Sequence, residues 1–443
     1  MPETRRLMQW WKKFKENDLL RRLLTVLSLD ILVKASAIIL LPVYLHLMSQ
    51  EEYGSFNYIL SITYSFSVLL NLGLYIPQSK LYHDYHDPEQ RGKLIYSINT
   101  LLVAGLVLVV LPVYLFGLDY HAVRLLFRNS IPYERYRLWI LLLTLTSLFA
   151  YMLTNYFYTS EQIDMIKRYS LLRVFAINGV SILALYFLRS QDAIEIRFMA
   201  IGSVETLLLL IFYARYFGRM VRKTDWKLLI KCLRLALPVM LSSLFSIIIN
   251  FGDKFFLEKN VDYKVLSVYY LGTSCASVIS LLSNSLQNVW LPLFFKEKDF
   301  STNLRRTNKL VIRLIWILAA LSITVTIAVM VCLRWGLIPK SYSGIIYVLP
   351  LLLAGQVAVC LSLIYSNYLI YFERTSLILW SGLIVSINST LLNMTLIPVW
   401  KIYGAAMTLL FSNTSYLVIY YFIIRHYKKK RLVIHEPPIR QHQ

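Results

Sequence analysis

Asp30 and Lys34 stand one helical turn apart inside residues 23–46, an apolar run long enough to cross a membrane. A helix rises about 1.5 Å per residue, so roughly 20 apolar residues span a hydrocarbon core of about 30 Å. A charge at the centre of such a helix costs on the order of 3 kcal/mol. At i, i+4 the two side chains share one helix face. Either they neutralise each other against a packed neighbour, or they face a water-filled cavity and contact an anionic substrate or a coupling ion. Other charges fall inside expected spans: Arg173 in residues 168–188, Glu205 midway in 194–217, Asp253 and Lys254 at the end of 235–257. Glu205 admits three readings, namely a protonatable coupling residue, a neutral buried acid, or a partner of Arg173. Arg173 and Arg313 lie near span ends, where long basic side chains also snorkel to the interface.

Polar residues recur at helical spacing beside these charges. Residues 235–257 carry Ser242, Ser246, Asn250 and Asp253; the next run carries Thr273, Ser277, Ser280, Asn284, Gln287 and Asn288. A third stripe holds Asn57, Ser61, Ser65, Asn71 and Tyr75. Such stripes serve interhelical hydrogen bonding at minimum. Because they fall on spans one, two, seven and eight, corresponding members of two halves, they also predict a pathway lined by those helices. The candidate substrate contacts are therefore Lys34, Lys254, Arg173, Asn57, Asn71, Asn250, Asn284 and Asn288, and the candidate ion-coupling groups are Asp30, Glu205 and Asp253.

Soluble-enzyme chemistry has little foothold. No HExxH, GxSxG, Walker or dinucleotide-binding pattern occurs, which removes an intrinsic ATPase drive. His83-Asp84-Tyr85-His86-Asp87 has metal-ligand residue types but reads as a solvated turn. Cys232, Cys275, Cys332 and Cys360 show no CxxC spacing and are expected to be packing residues, so neither a metal nor another cofactor is expected.

The elements that must hold these residues follow from composition. The chain has 443 residues, of which 57% are hydrophobic, and a mean hydropathy of +0.57. A globular core cannot bury so much apolar surface, so the expected class is an all-α polytopic membrane protein. Twelve spans are expected, at 23–46, 54–77, 94–116, 137–160, 168–188, 194–217, 235–257, 264–294, 308–333, 345–371, 375–397 and 403–424. With residues at span ends assigned to the adjacent connection, 31 of the 46 Lys and Arg fall on the side of the termini. Another 11 fall on the opposite side, leaving Lys34, Arg173, Lys254 and Arg313 inside. The positive-inside rule then puts both termini in the cytoplasm. The same placement accounts for the net charge of +22 without nucleic acid as a partner. No cleavable signal peptide is expected, and the inner (cytoplasmic) membrane is the expected location.

The expected organisation is a basic amphipathic segment 1–22, a six-helix lobe 23–217, and a cytoplasmic amphipathic linker 218–234. A second six-helix lobe, 235–425, and a basic tail, 426–443, complete it. A short parallel repeat supports two lobes: Asn155-Tyr156, Glu161 and Ile177-Asn178 recur as Asn367-Tyr368, Glu373 and Ile387-Asn388. No connection exceeds about 20 residues, which leaves no room for an extramembrane catalytic domain.

Leu40-Leu41-Pro42-Val43-Tyr44 followed by Leu47-Met48-Ser49-Gln50-Glu51-Glu52-Tyr53-Gly54 resembles the opening of bacterial polysaccharide flippases, with Met48 as a small departure. Asn71-Leu72-Gly73-Leu74, expected to close span two, and Leu237-Pro238 with Asp253-Lys254-Phe255-Phe256-Leu257 are similar to the same family. So is Leu392-Asn393 with Leu396-Ile397-Pro398 and Gly404-Ala405-Ala406, where Trp400-Lys401 replaces a frequent glycine. The ordered set spans nearly the whole chain and resembles the O-antigen and capsule repeat-unit flippases of the multidrug/oligosaccharidyl-lipid/polysaccharide exporter superfamily.

The resemblance implies two lobes related by a pseudo-two-fold axis around a V-shaped cleft lined by helices one, two, seven and eight. It also implies alternating access that carries an undecaprenyl-pyrophosphate-linked oligosaccharide to the outer leaflet in lipopolysaccharide or other surface polysaccharide biosynthesis. Membrane lipids, a coupling proton or sodium ion and a polysaccharide polymerase are the implied partners. Lys34, Lys254 and Arg173 are the first phosphate contacts to test. A multidrug exporter of the same superfamily and an integral-membrane polymerase or ligase are the alternatives.

Overall fold

The structure is a computed structural model that describes residues 36, 38–128, 131–188, 192–217, 224–296, 299–372, 374 and 376–435. Asp30 and Lys34 lie outside the described residues, as does the segment 1–22. Thirteen α-helices, one 3-10 turn (Lys340–Tyr342) and no strand occur among the described residues. In chain order these are α1 (Ile38–Leu47), α2 (Gln50–Leu70), α3 (Tyr75–Asp84), α4 (Pro88–Leu115) and α5 (Leu118–Leu126). Next come α6 (Tyr133–Thr159), α7 (Ile163–Phe187), α8 (Ala193–Phe217), α9 (Trp226–Asn260) and α10 (Tyr263–Lys296). The last three are α11 (Phe300–Arg334), α12 (Ile345–Tyr371) and α13 (Ser376–His435). Among the described residues, nine helices are long and apolar enough to cross a membrane, and α2 and α3, bent by 42°, pass the same test together. Lys401 splits α13 into two legs through a non-helical backbone (φ 50°, ψ −125°), and α1 is a shorter apolar helix.

Local chemistry explains the bends. Ser49 caps α2 in a reciprocal box with Glu52: the Ser49 Oγ accepts from the Glu52 N–H, and the Glu52 carboxylate accepts from the Ser49 N–H. Five residues on, a Cβ on Gly54 would lie 2.1 Å from the Tyr263 carbonyl oxygen, so only glycine permits this approach of α2 to α10. The Asn71–Leu74 motif does not close the span. It interrupts it, with Leu72 at φ 53° and Gly73 at φ 71°, and the helix resumes as α3. Asn71 holds the break by accepting from the Gly73 N–H at 2.8 Å, and a Cβ on Gly73 would meet the Ala236 carbonyl oxygen at 2.4 Å.

The later part of the expected linker is continuous with span seven. From Trp226 onward it forms the first turns of α9, and Leu228, Cys232 and Ala236 are buried against Leu74, Leu94 and Ile98.

Two compact units emerge. One holds the described residues up to Ile247 with Val261–Tyr270 and Gly336–Tyr342; the other holds Ile248–Asn260, Leu271–Trp335 and the described residues from Ser343 on. In the first, α8 packs on α6 and α7; in the second, α12 packs on α13 and α11. The same local structure recurs in both. The amide of Asn155 donates to the Gln78 side chain, and that of Asn367 to Gln287 at 3.1 Å. The following turns close identically, Gln162 N–H onto Phe157 O and Arg374 N–H onto Leu369 O, both at 2.9 Å.

Candidate functional site

Within the first unit, the broken span and its neighbours enclose a cavity of about 510 Å³. Its wall includes Tyr64 from α2, Asn71 at the break, Tyr75 at the start of α3, Tyr151 and Thr154 from α6, and Arg173 from α7. Tyr75 meets Tyr151 edge-on, ring centroids 5.5 Å apart. Tyr64 and Tyr151 expose 47% and 45% of their surface, so their rings remain available to a ligand.

Among the described residues, Arg173 is the only cation of that wall. Its Nε donates to Glu205 Oε2 at 2.7 Å, while the Tyr169 hydroxyl donates to Oε1 at 2.9 Å. Tyr169 and Arg173 are i, i+4 on α7, so one helix face delivers both donors to α8. The Glu205 side chain is 2% exposed and Arg173 37%. The acid is thus sealed beneath the base, and the guanidinium nitrogens beyond Nε remain for a ligand. The structure pairs Glu205 with Arg173, one of the readings open for it, and ties the Arg173 Nε inward to that acid. A planar guanidinium suits phosphate oxygens, and tyrosine rings with hydroxyl and amide groups suit a saccharide.

The other candidate residues divide between local and tertiary bonds. Asn57 donates to the Tyr53 carbonyl at 2.7 Å, and Ser65 to that of Ser61 at 2.8 Å, so this part of the stripe bonds along its own helix. Ser61 also meets the Tyr270 hydroxyl at 2.6 Å, and Ser280 donates to Gln356 at 2.8 Å. In the second unit, Lys254 Nζ donates to the Asn250 carbonyl at 2.7 Å and to Asp253 Oδ1 at 3.0 Å, with Asp253 buried. Asn284 and Asn288 lie on α10, and their side chains are outside the described ones. No group of three metal-ligating side chains converges among the described residues.

Two features escape a reading by spacing. Arg197, assigned by its position to an outer connection, lies one turn inside α8 between the rings of Tyr44 (4.0 Å) and Phe56 (3.9 Å). Among the described residues no carboxylate pairs with it, and its Nε is buried without a hydrogen-bond partner. The aromatic neighbours come from other helices, which no local pattern reveals. The second feature is a set of buried polar groups on α13. Gly404 sits against Leu396, and Asn388 donates to Ser415 at 3.1 Å, which sets the register of the two legs. That register puts Thr408 level with Asn393; both are fully buried, and neither side chain finds a hydrogen-bond partner among the described residues. Asn393 also approaches Gly252, the neighbour of Asp253.

Comparison with known proteins supplies the frame. A polysaccharide biosynthesis protein family matches residues 19–298. No curated protein matches the chain. Among solved structures, the lipid II flippase MurJ in an inward closed conformation is similar, with a TM-score of 0.67 at 15% identity, covering 89% of this chain and 87% of that one. An inward-facing multidrug resistance MATE family transporter of the MOP superfamily gives 0.59 at 13% identity, covering 93% and 96%. A MOP superfamily transporter from Pyrococcus furiosus gives 0.56 at 12%, covering 92% and 95%. The fold is that of the MOP exporters, all-helical in two lobes.

Proposed function

Because the chain belongs to the polysaccharide biosynthesis protein family, we propose that it is a flippase. It moves undecaprenyl-pyrophosphate-linked oligosaccharide units across the cytoplasmic membrane by alternating access, with both termini in the cytoplasm. The observation that carries this reading is Arg173, sealed to Glu205 on one side and open to a tyrosine-walled cavity on the other. A sugar–pyrophosphate head loses its hydration on entering hydrocarbon, at several kcal/mol for each unpaired polar group. A cation with charge-assisted donors and flanking hydroxyls replaces that hydration. An exporter of cationic drugs needs an accessible carboxylate, and in this cavity the carboxylate is the buried member.

Lys34 and Lys254 are proposed as further phosphate contacts, with Asn57, Asn71, Asn250, Asn284 and Asn288 as polar lining. Asp30 remains a proposed coupling group. Glu205 is the candidate proton site, because protonating it frees Arg173 for the anion. Asp253 with Asn393 and Thr408 is the candidate for a hard cation such as sodium, which prefers clustered oxygens. A polysaccharide polymerase is the proposed consumer of the product.

The test removes the protein from a producing cell and fractionates the lipid-linked sugars. A flippase defect leaves complete repeat units on the inner leaflet, and Arg173→Gln at normal expression reproduces it. Single units displayed at the surface would instead identify a polymerase and overturn the proposal.

A further inference from the structure

In the second unit a groove of about 600 Å³ lies between α11, α12 and the last leg of α13. Its chemistry is graded along the helix axes. At one end stand Arg425 and Lys428, both exposed, and neither has a carboxylate partner among the described residues. At the middle Tyr365 donates to Asn308 at 3.2 Å. Toward the other end the walls are Val311, Ile312 and Tyr421. The spacing accounts for the shape. Asn308, Val311 and Ile312 fall on one face of α11 at i, i+3 and i+4, and Tyr421, Arg425 and Lys428 fall on one face of α13 at i, i+4 and i+7. The helices run antiparallel, so the apolar residues of each meet at the same depth and the cations gather at one mouth.

We propose that this groove binds one anionic phospholipid of the inner leaflet, its phosphate at Arg425 and Lys428 and its acyl chains along Val311, Ile312 and Tyr421. The charge bias of the chain places the basic mouth at the cytoplasmic surface, which is the depth of the inner headgroup layer. Basic recesses between spanning helices on that side are suited to acidic headgroups. The surrounding sequence strengthens the field. Lys429, Lys430 and Arg431 continue the basic run after Lys428. A soluble anion would use the cations but not the apolar walls. A zwitterionic lipid would use the walls but bring its own cation against the mouth. An anionic phospholipid satisfies both ends.

The protein is reconstituted in nanodiscs of equal phosphatidylglycerol and phosphatidylcholine, extracted, and examined by native mass spectrometry. One retained phosphatidylglycerol is expected, favoured over phosphatidylcholine by roughly tenfold or more, since each cation near an acidic headgroup contributes about fivefold. Arg425→Gln with Lys428→Gln removes the preference. Lys309→Gln with Arg313→Gln, exposed cations outside the groove wall, keeps it. Ile312→Trp fills the apolar end without touching a charge and releases the lipid. Millimolar inorganic phosphate does not displace it. The proposal is overturned by equal retention of both lipids, by an unchanged preference in the Arg425/Lys428 variant, by equal loss in the Lys309/Arg313 control, or by displacement with phosphate alone.

Discussion

The Arg173–Glu205 pair is asymmetric, and the asymmetry can be measured. Glu205 is sealed at 2% exposure, whereas Arg173 at 37% faces the cavity. Arg173→Gln leaves a buried carboxylate whose remaining donor among the described residues is the Tyr169 hydroxyl. Removing one partner of a buried pair costs about 3–5 kcal/mol, and solvent reaching the 37% exposed Arg173 lowers that by on the order of 1 kcal/mol. A net loss of about 2–4 kcal/mol is expected. Glu205→Gln leaves an arginine that still reaches the cavity and an amide that still accepts from Tyr169, so a loss of about 1 kcal/mol is expected. The double variant restores neutrality on both sides. It should lie nearer the Arg173 variant than the sum, giving a coupling of about 1–3 kcal/mol in a double-mutant cycle. Chemical unfolding in detergent micelles, followed by tryptophan fluorescence, reads all four proteins. A larger loss for Glu205→Gln than for Arg173→Gln, or a coupling below about 0.5 kcal/mol, would refute the claim that Arg173 shields a buried acid.

Three further outcomes are expected. Lys401 holds φ 50° and ψ −125°, a region that costs a non-glycine residue about 1–3 kcal/mol, so Lys401→Gly should stabilise by about 1 kcal/mol in thermal unfolding. Arg197 sits between two aromatic rings, so Arg197→Gln should cost about 2 kcal/mol and Arg197→Lys clearly less, read by the same melts. Asp299 caps α11, and donors from Thr302 and Ser301 hold its carboxyl at about 2, below the ordinary 3.8. A lowered carboxyl stabilises the fold fully above pH 3.8 and loses that contribution as pH falls through about 2. Hydrogen exchange at the start of α11 should therefore stay slow at pH 3 and quicken in Asp299→Ala at every pH above about 2.

Much of the fold was legible because its signals are local. Long apolar runs announce spans, the Ser49–Glu52 box announces the start of α2, and the Asn155 and Asn367 motifs announce turns that close with the same hydrogen bonds. What stayed hidden depends on partners distant in sequence. Nothing near Asn71 says whether a helix ends or merely bends; that is decided by α9, whose Ala236 carbonyl faces Gly73 and whose Leu228 and Cys232 cover Leu74. Arg173 was legible as a candidate, but its role turned on Glu205, 32 residues away, and on the depth difference between them. Arg197 was invisible because Tyr44 and Phe56 lie more than 140 residues earlier.

The break in the second span joins these strands of reasoning. A continuous helix from Gln50 to Asp84 would present its polar residues to whatever packs beside it, each bonded back to its own carbonyls as Asn57 and Ser65 are. At the break that option ends. Asn71 must spend its side-chain oxygen on the Gly73 N–H, and the chain turns by 42° before α3 resumes. The turn sets Asn71 and Tyr75 on the cavity wall with Tyr64, one helical segment above them, and Arg173 across from α7. Spanning helices tolerate irregular backbone only where protein or a polar cavity satisfies it. Leu72 in the left-handed region therefore carries strain that a straight helix would lack, and its position beside Arg173's cavity gives that strain a use. The residues that carry the family resemblance at Asn71–Leu74 are the ones that shape the proposed phosphate and sugar site.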